Sequence, residues 1–189
     1  MSRGVRRRAV LAGLAVTTAG CAGPAATTTT DAPAATDTEA TMADLHVTSP
    51  AFDDGAPIPE RYGKAYENVN PPLRFDGVPE GAASLALVVD DPDAPGGVFD
   101  HWLVWDIPAG TTEIPEGWSP PDGVVEGTND FGNVGYDGPR PPEEHTYRFT
   151  GYALDATLDV ERGAEKDALE SAMDGHVLAS GTLEGTFAP

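Results

Sequence analysis

A single cysteine, Cys21, among 189 residues excludes any internal disulfide, so the fold must rest on its core. Lysine is almost as scarce: Lys64 and Lys166 are the only two. Lys and Arg together number 11 against 31 Asp and Glu, a formal net charge of −20. Such a charge repels nucleic acid and anionic surfaces and argues against both as partners. The apolar run at residues 9–20 is shorter than the roughly 20 residues that span a bilayer. Also missing are H-E-x-x-H, G-x-S-x-G, a Walker motif, a glycine-rich dinucleotide loop and any internal repeat. No cofactor and no resident metal are expected.

What is present begins with Arg6-Arg7-Arg8, then the short apolar run, then Cys21. A basic start, a short apolar stretch and small residues before a cut describe an export signal over residues 1–20. Arg7-Arg8-Ala9-Val10-Leu11 resembles a twin-arginine signal, and Thr18-Ala19-Gly20-Cys21 resembles a lipobox whose cysteine is lipidated. An ordinary cleaved signal with an incidental cysteine is the alternative. Residues 21–44, rich in Ala, Thr, Pro and Asp and without an aromatic, read as a disordered tether with a reach of roughly 25–30 Å. The expected location is the external face of the cell membrane, held there by the lipid.

Export would remove Arg3, Arg6, Arg7 and Arg8 and take the formal charge from −20 to −24. Self-repulsion of that size opposes folding unless salt screens it, and at 1 M salt the screening length is about 3 Å. The lysine-poor acidic surface therefore suggests a salt-rich, halophilic setting. A merely acidic exported protein is the other reading.

Residues 45–189 suit one domain. Residues 84–90 and 101–106 read as buried strands, and 146–154 as a strand with one wet face. Leu169 and Met173 stand four apart in a helical pattern at 164–173 that Gly175 stops. Residues 177–187 close the chain as one or two strands. The expected fold is mainly β, an antiparallel β-sandwich with a short C-terminal helix.

Two segments join rigid turns to titratable groups: Asp91-Pro92-Asp93-Ala94-Pro95 with His101-Trp102 after it, and Gly138-Pro139-Arg140-Pro141-Pro142 followed by His145-Thr146-Tyr147. Asp91 and Asp93 taken alone read as a strand-ending turn, where Asp and Pro are common. His101 alone suits a satisfied core histidine. His145 and Tyr147 fall on one face of a strand.

These segments resemble the two signature regions of the phosphatidylethanolamine-binding protein family, in particular its prokaryotic, Raf kinase inhibitor-like branch. Thr48-Ser49-Pro50-Ala51-Phe52, Asn129-Asp130-Phe131-Gly132 and Gly175-His176-Val177-Leu178-Ala179 extend the similarity from about Leu45 to the C-terminus. The resemblance implies a β-sandwich and a pocket lined by Asp91, His101, His145 and Tyr147, with Asp93 close by. It implies a wall at Phe99 and a cis bond at Ala94-Pro95. Arg140 departs from the family pattern. It reads either as a phosphate contact or as a loop residue paired with Glu143 or Glu144.

The function implied is a non-enzymatic, lipid-anchored binding protein for small anions, such as phosphate esters or phospholipid headgroups. Relatives of this kind are described as inhibiting kinases or proteases, and outside the cell an extracellular protease is the partner that fits. The alternative is a phosphoesterase, either metal-dependent or using the histidines and aspartates as acid and base.

Overall fold

The computed structural model describes residues 43–189; the expected signal, the Cys21 attachment site and the tether up to residue 42 lie outside the described residues. In chain order come β1 (Ala43–Asp44), β2 (His46–Thr48), β3 (Ala56–Pro57), β4 (Leu73–Asp76), β5 (Ser84–Asp91) and β6 (Phe99–Pro108). Then follow β7 (Glu113–Ile114), β8 (Val125–Glu126), β9 (His145–Leu154), helix α1 (Lys166–Met173) and β10 (Val177–Phe187).

The most apolar stretch, Leu85-Ala86-Leu87-Val88-Val89, lies in β5, the middle of the main sheet. All eight residues of β5 are buried because β9 and β6 pair with its two edges and both of its faces are covered. Alternate residues serve opposite cores. Leu85, Leu87 and Val89 meet Val47, Leu73, Phe75 and Ile114 of the small sheet β2-β4-β7. Ala86 and Val88 meet Leu169 and Met173 of α1 on the other face.

The strand order of the main sheet is β1-β10-β9-β5-β6-β8, with β3 also on β10. The fold is thus mainly β with one short helix. The expected all-antiparallel sandwich gives way to a mixed sheet, because β1 and β3 both run parallel to β10. Ala43 and Asp44, read from sequence as the end of the tether, form β1.

The helix buries Leu169 and Met173, the pair set four apart. It stops at Gly175, whose φ of 78° suits glycine, and β10 closes the chain as a single strand.

β6 carries two irregularities. Leu85 and Leu87 face Ile107 and Val104, so β6 holds one extra residue near Asp106, whose φ is 58°. Val89 and Asp90 face Trp102 and Asp100, which leaves His101 as a second extra residue, outside the ladder. That bulge lies where β5 ends and where β6 and β9 begin, and the candidate site is built there.

Candidate functional site

β5 runs antiparallel to both β6 and β9, so its C-terminal Asp91 meets the beginnings of the other two. Phe99 and His101 come from β6, and His145 and Tyr147 from β9. The Pro-rich segment before β9 adds Arg140, Pro141 and Pro142, and together these groups line a cavity of about 180 Å³. Asp91, His101, His145 and Tyr147 are buried, whereas Arg140 is exposed.

Asp91 is held at both oxygens. Its Oδ1 accepts from the Asp93 N–H at 2.9 Å, the aspartate turn that its place before a proline favours. Its Oδ2 accepts from His145 Nδ1 at 2.8 Å. That bond fixes the tilt of the imidazole and leaves Nε2 as the nitrogen for a bound molecule. Asp93 does not line the cavity; it is exposed, and its Oδ2 accepts from the Thr146 N–H at 2.9 Å. It pins the start of β9, and so His145, to the turn after β5.

His101 donates from Nδ1 to the Asp137 carbonyl at 2.7 Å, and its own carbonyl accepts from the Asp137 N–H at 3.1 Å. The ring is enclosed by Phe99 at 5.3 Å, Phe131 at 5.6 Å and Tyr147 at 5.2 Å between centroids. Burial there lowers the His101 pKa from its ordinary value, against the pull of the Asp137 carbonyl and the Asp91 charge. Burial first, and the Asp91 carboxylate second, push the Tyr147 phenol up, so it remains an O–H donor at all physiological pH.

Behind His101 stands a polar cluster that sequence reasoning missed. The Asp137 carboxylate accepts from Lys64, from Asn68 at 3.0 Å, from Asn129 at 3.1 Å and from Asn133 at 2.7 Å. Burial alone would raise its pKa, but these donors hold it down at about 2. The Lys64 ammonium also sits 4.1 Å over the Phe131 ring. Asn129 accepts from the Phe131 N–H at 3.0 Å and so shapes the loop that carries this wall.

Gly138 follows Asp137 because the chain passes so close to Tyr62 that a Cβ would lie 1.8 Å from its carbonyl oxygen. Phe131 was visible as part of the Asn129-Asp130-Phe131-Gly132 segment, but nothing local marked it as a wall.

The Ala94–Pro95 bond is trans; no cis peptide occurs among the described residues. The turn closes instead with Gly96 and Gly97, whose N–H groups reach the Ala94 carbonyl at 2.8 and 3.2 Å. Among the described residues Arg140 forms no ion pair within 4.0 Å, so the expected Glu143 or Glu144 partner is not engaged. Among the described residues no three His, Cys, Asp or Glu side chains converge as metal ligands.

A mixed sheet ending in a small walled cavity defines a mainly β protein with a recessed candidate pocket. Residues 48–188 match the family profile described as phosphatidylethanolamine-binding protein. A UPF0098 protein of Methanothermobacter thermautotrophicus is 47% identical over 148 residues, covering 76% of this chain and 98% of the relative. One from Chlamydia muridarum is 40% identical over 149 residues, covering 76% and 98%.

Among solved structures, a putative phosphatidylethanolamine-binding protein homologue from Chlamydia trachomatis superposes with a TM-score of 0.73 at 39% identity. The match covers 77% of this chain and 98% of that one. E. coli YbcL, described as a member of the mammalian PEBP family, gives 0.73 at 31% identity, covering 78% and 99%. The chain belongs to the phosphatidylethanolamine-binding protein family, in its prokaryotic branch.

Proposed function

We propose that this is an exported, non-enzymatic binding protein for small anions such as phosphate esters or phospholipid headgroups, held at the outer face of the membrane by a lipid on Cys21. The observation that supports anion binding is the cavity itself. Two imidazoles present one nitrogen each, Tyr147 offers an O–H, and the unpaired Arg140 guanidinium stands at the edge. The Tyr147 O–H and the Arg140 guanidinium can donate to the oxygens of a tetrahedral anion, as can each Nε2 in an imidazolium, and aromatic and proline side chains wall the cavity.

A phosphoesterase needs a general base. Here His145, oriented by Asp91, would have to act as that base from Nε2, whereas the binding reading asks only that this nitrogen meet the anion; turnover of a phosphate monoester by the protein would favour the enzyme. The test is a structure determined after soaking with inorganic phosphate. Phosphate should lie within about 3 Å of His145 and Tyr147; phosphate found only elsewhere on the surface would count against the reading.

The anchor is supported by the basic start, the short apolar run and the lone cysteine. Cys21→Ser should move the protein from the membrane fraction to the soluble one, and unchanged membrane association would remove the anchor.

A further inference from the structure

We propose that a second cleft, lined by the Glu126 carboxylate together with Trp118 and Tyr136, binds an alkylammonium group carried by a free amine or by a lysine side chain. This cleft has a volume of about 340 Å³ and shares no lining residue with the anion cavity, so the proposal stands apart from the anion reading.

Glu126 lies on β8, at the edge of the main sheet beside β6. Its Oε1 accepts from Trp102 Nε1 at 3.1 Å, which fixes the carboxylate in place. Its Oε2 accepts no hydrogen bond among the described residues. The one cation near it there, Arg162 Nη2, is 3.6 Å away, beyond hydrogen-bond length, on a side chain that is 63% exposed. So exposed a pair is weakly held. The Glu126 side chain is only 13% exposed, so little of it is left to water. An ionised carboxylate has about four sites for donors, and the fold supplies one.

The walls form one unit with this carboxylate. Trp102 packs edge-on against both, with centroids 6.2 Å from Trp118 and 5.6 Å from Tyr136. The Tyr136 O–H donates to the Tyr62 carbonyl at 2.9 Å, and the Trp118 N–H to Asn70 Oδ1 at 2.8 Å, so both walls are held while their rings stay half-buried. Gly135, with φ of 107°, brings its backbone against the carboxylate. A Cβ there would stand 3.2 Å from Glu126 Oε1 and crowd it.

A carboxylate beside aromatic rings suits an ammonium, which can donate to Oε2 while the π-systems attract its charge. Val69 and Val134 supply the apolar surface that an alkyl stem needs. Sodium and potassium ions have no stem to place there. The acidic excess of the molecule, which opposes anions, concentrates cations here.

The experiment is an NMR titration of the indole N–H signals of the protein, at constant ionic strength, with n-butylammonium chloride and with n-butanol. Trp102 reports on Glu126 and Trp118 on the wall, while Trp105, buried in the other core with Leu169 and Met173, is the internal control. n-Butylammonium should shift Trp102 and Trp118 saturably with one constant and leave Trp105 unmoved; n-butanol should bind at least about tenfold more weakly. Glu126→Gln, whose amide oxygen can still accept from Trp102, should weaken n-butylammonium binding about tenfold or more. Arg162→Ala should tighten it about two- to fivefold by vacating Oε2. Nα-acetyl-lysine N-methylamide is the second arm: tighter binding than n-butylammonium assigns the cleft to a lysine side chain, and weaker binding to a free amine.

No saturable shift, an equal response to n-butanol, or unchanged affinity in Glu126→Gln overturns the proposal. If that variant does not fold, the wild-type comparison with n-butanol decides alone. Each of these failures leaves phosphate binding at the anion cavity untouched.

Discussion

Asp137 shows how a residue outside the cavity sets the chemistry inside it. Its peptide fixes the tautomer of His101, and its carboxylate is held by Lys64 and three asparagines. Asp137→Asn would remove the charge and place an amide among four groups that donate to this position, and should destabilise the fold by about 2–3 kcal/mol near neutral pH. The folded pKa of about 2 lies below the unfolded value of about 3.9. The stabilisation is therefore complete above about pH 4 and is lost as pH falls towards 2. Urea unfolding of both proteins should give a gap at pH 7 that closes near pH 2; no gap at pH 7 would contradict the assignment. None of this cluster was legible beforehand, because Lys64 and Asn68 lie some seventy residues from Asp137 in sequence. By contrast Asp91, Phe99, His101, Arg140, His145 and Tyr147 all reach the cavity. Their motifs were readable because turn-forming prolines sit beside them. Asp93 belongs to the same motif yet points to the Thr146 N–H, a choice that only the turn geometry could reveal.

At the scale of elements, the long strands and the helix could be read and the short strands could not. β5, β6, β9 and β10 hold eight to eleven residues each, enough for a run or an alternation to stand out. β2, β4 and β7 hold two to four, and their core residues Val47, Leu73, Phe75 and Ile114 are scattered among loops. Only tertiary contact with the main sheet makes them strands. Parallel pairing of β1 and β3 with β10 was hidden for the same reason: it joins segments more than a hundred residues apart. The bulge at His101 is a matter of register, and register leaves no mark in composition. The helix is tied down by a group that its amphipathic pattern does not announce. Lys166 reaches Asp90 of β5 and Asp100 of β6, both at 2.9 Å, and Arg148 of β9 clasps Asp90 from the other side. Both lysines of the chain are thus spent on buried carboxylates, Lys64 at Asp137 and Lys166 at Asp90 and Asp100.

For the molecule as a whole, the excess of acidic charge opposes folding. Among the described residues every Lys and Arg except Arg140 lies in an ion pair, and the formal net charge, −20, already counts them. Stability should rise with salt as repulsion between exposed carboxylates is screened, most steeply below the concentration at which the screening length reaches about 3 Å, near 1 M. Thermal melts from low to molar salt test this; a flat midpoint would remove self-repulsion, and with it the halophilic reading, from the account. The same repulsion acts on any anionic ligand, so the donors of the cavity have to overcome it locally. Calorimetric titration with inorganic phosphate, at fixed ionic strength, on wild type and on folded His101→Ala and His145→Ala variants measures that balance. Wild type should bind saturably at one site, and each variant should lose about 1.5–3 kcal/mol, the worth of one charge-assisted hydrogen bond. If both variants bind phosphate as tightly as wild type, the cavity is not the anion site.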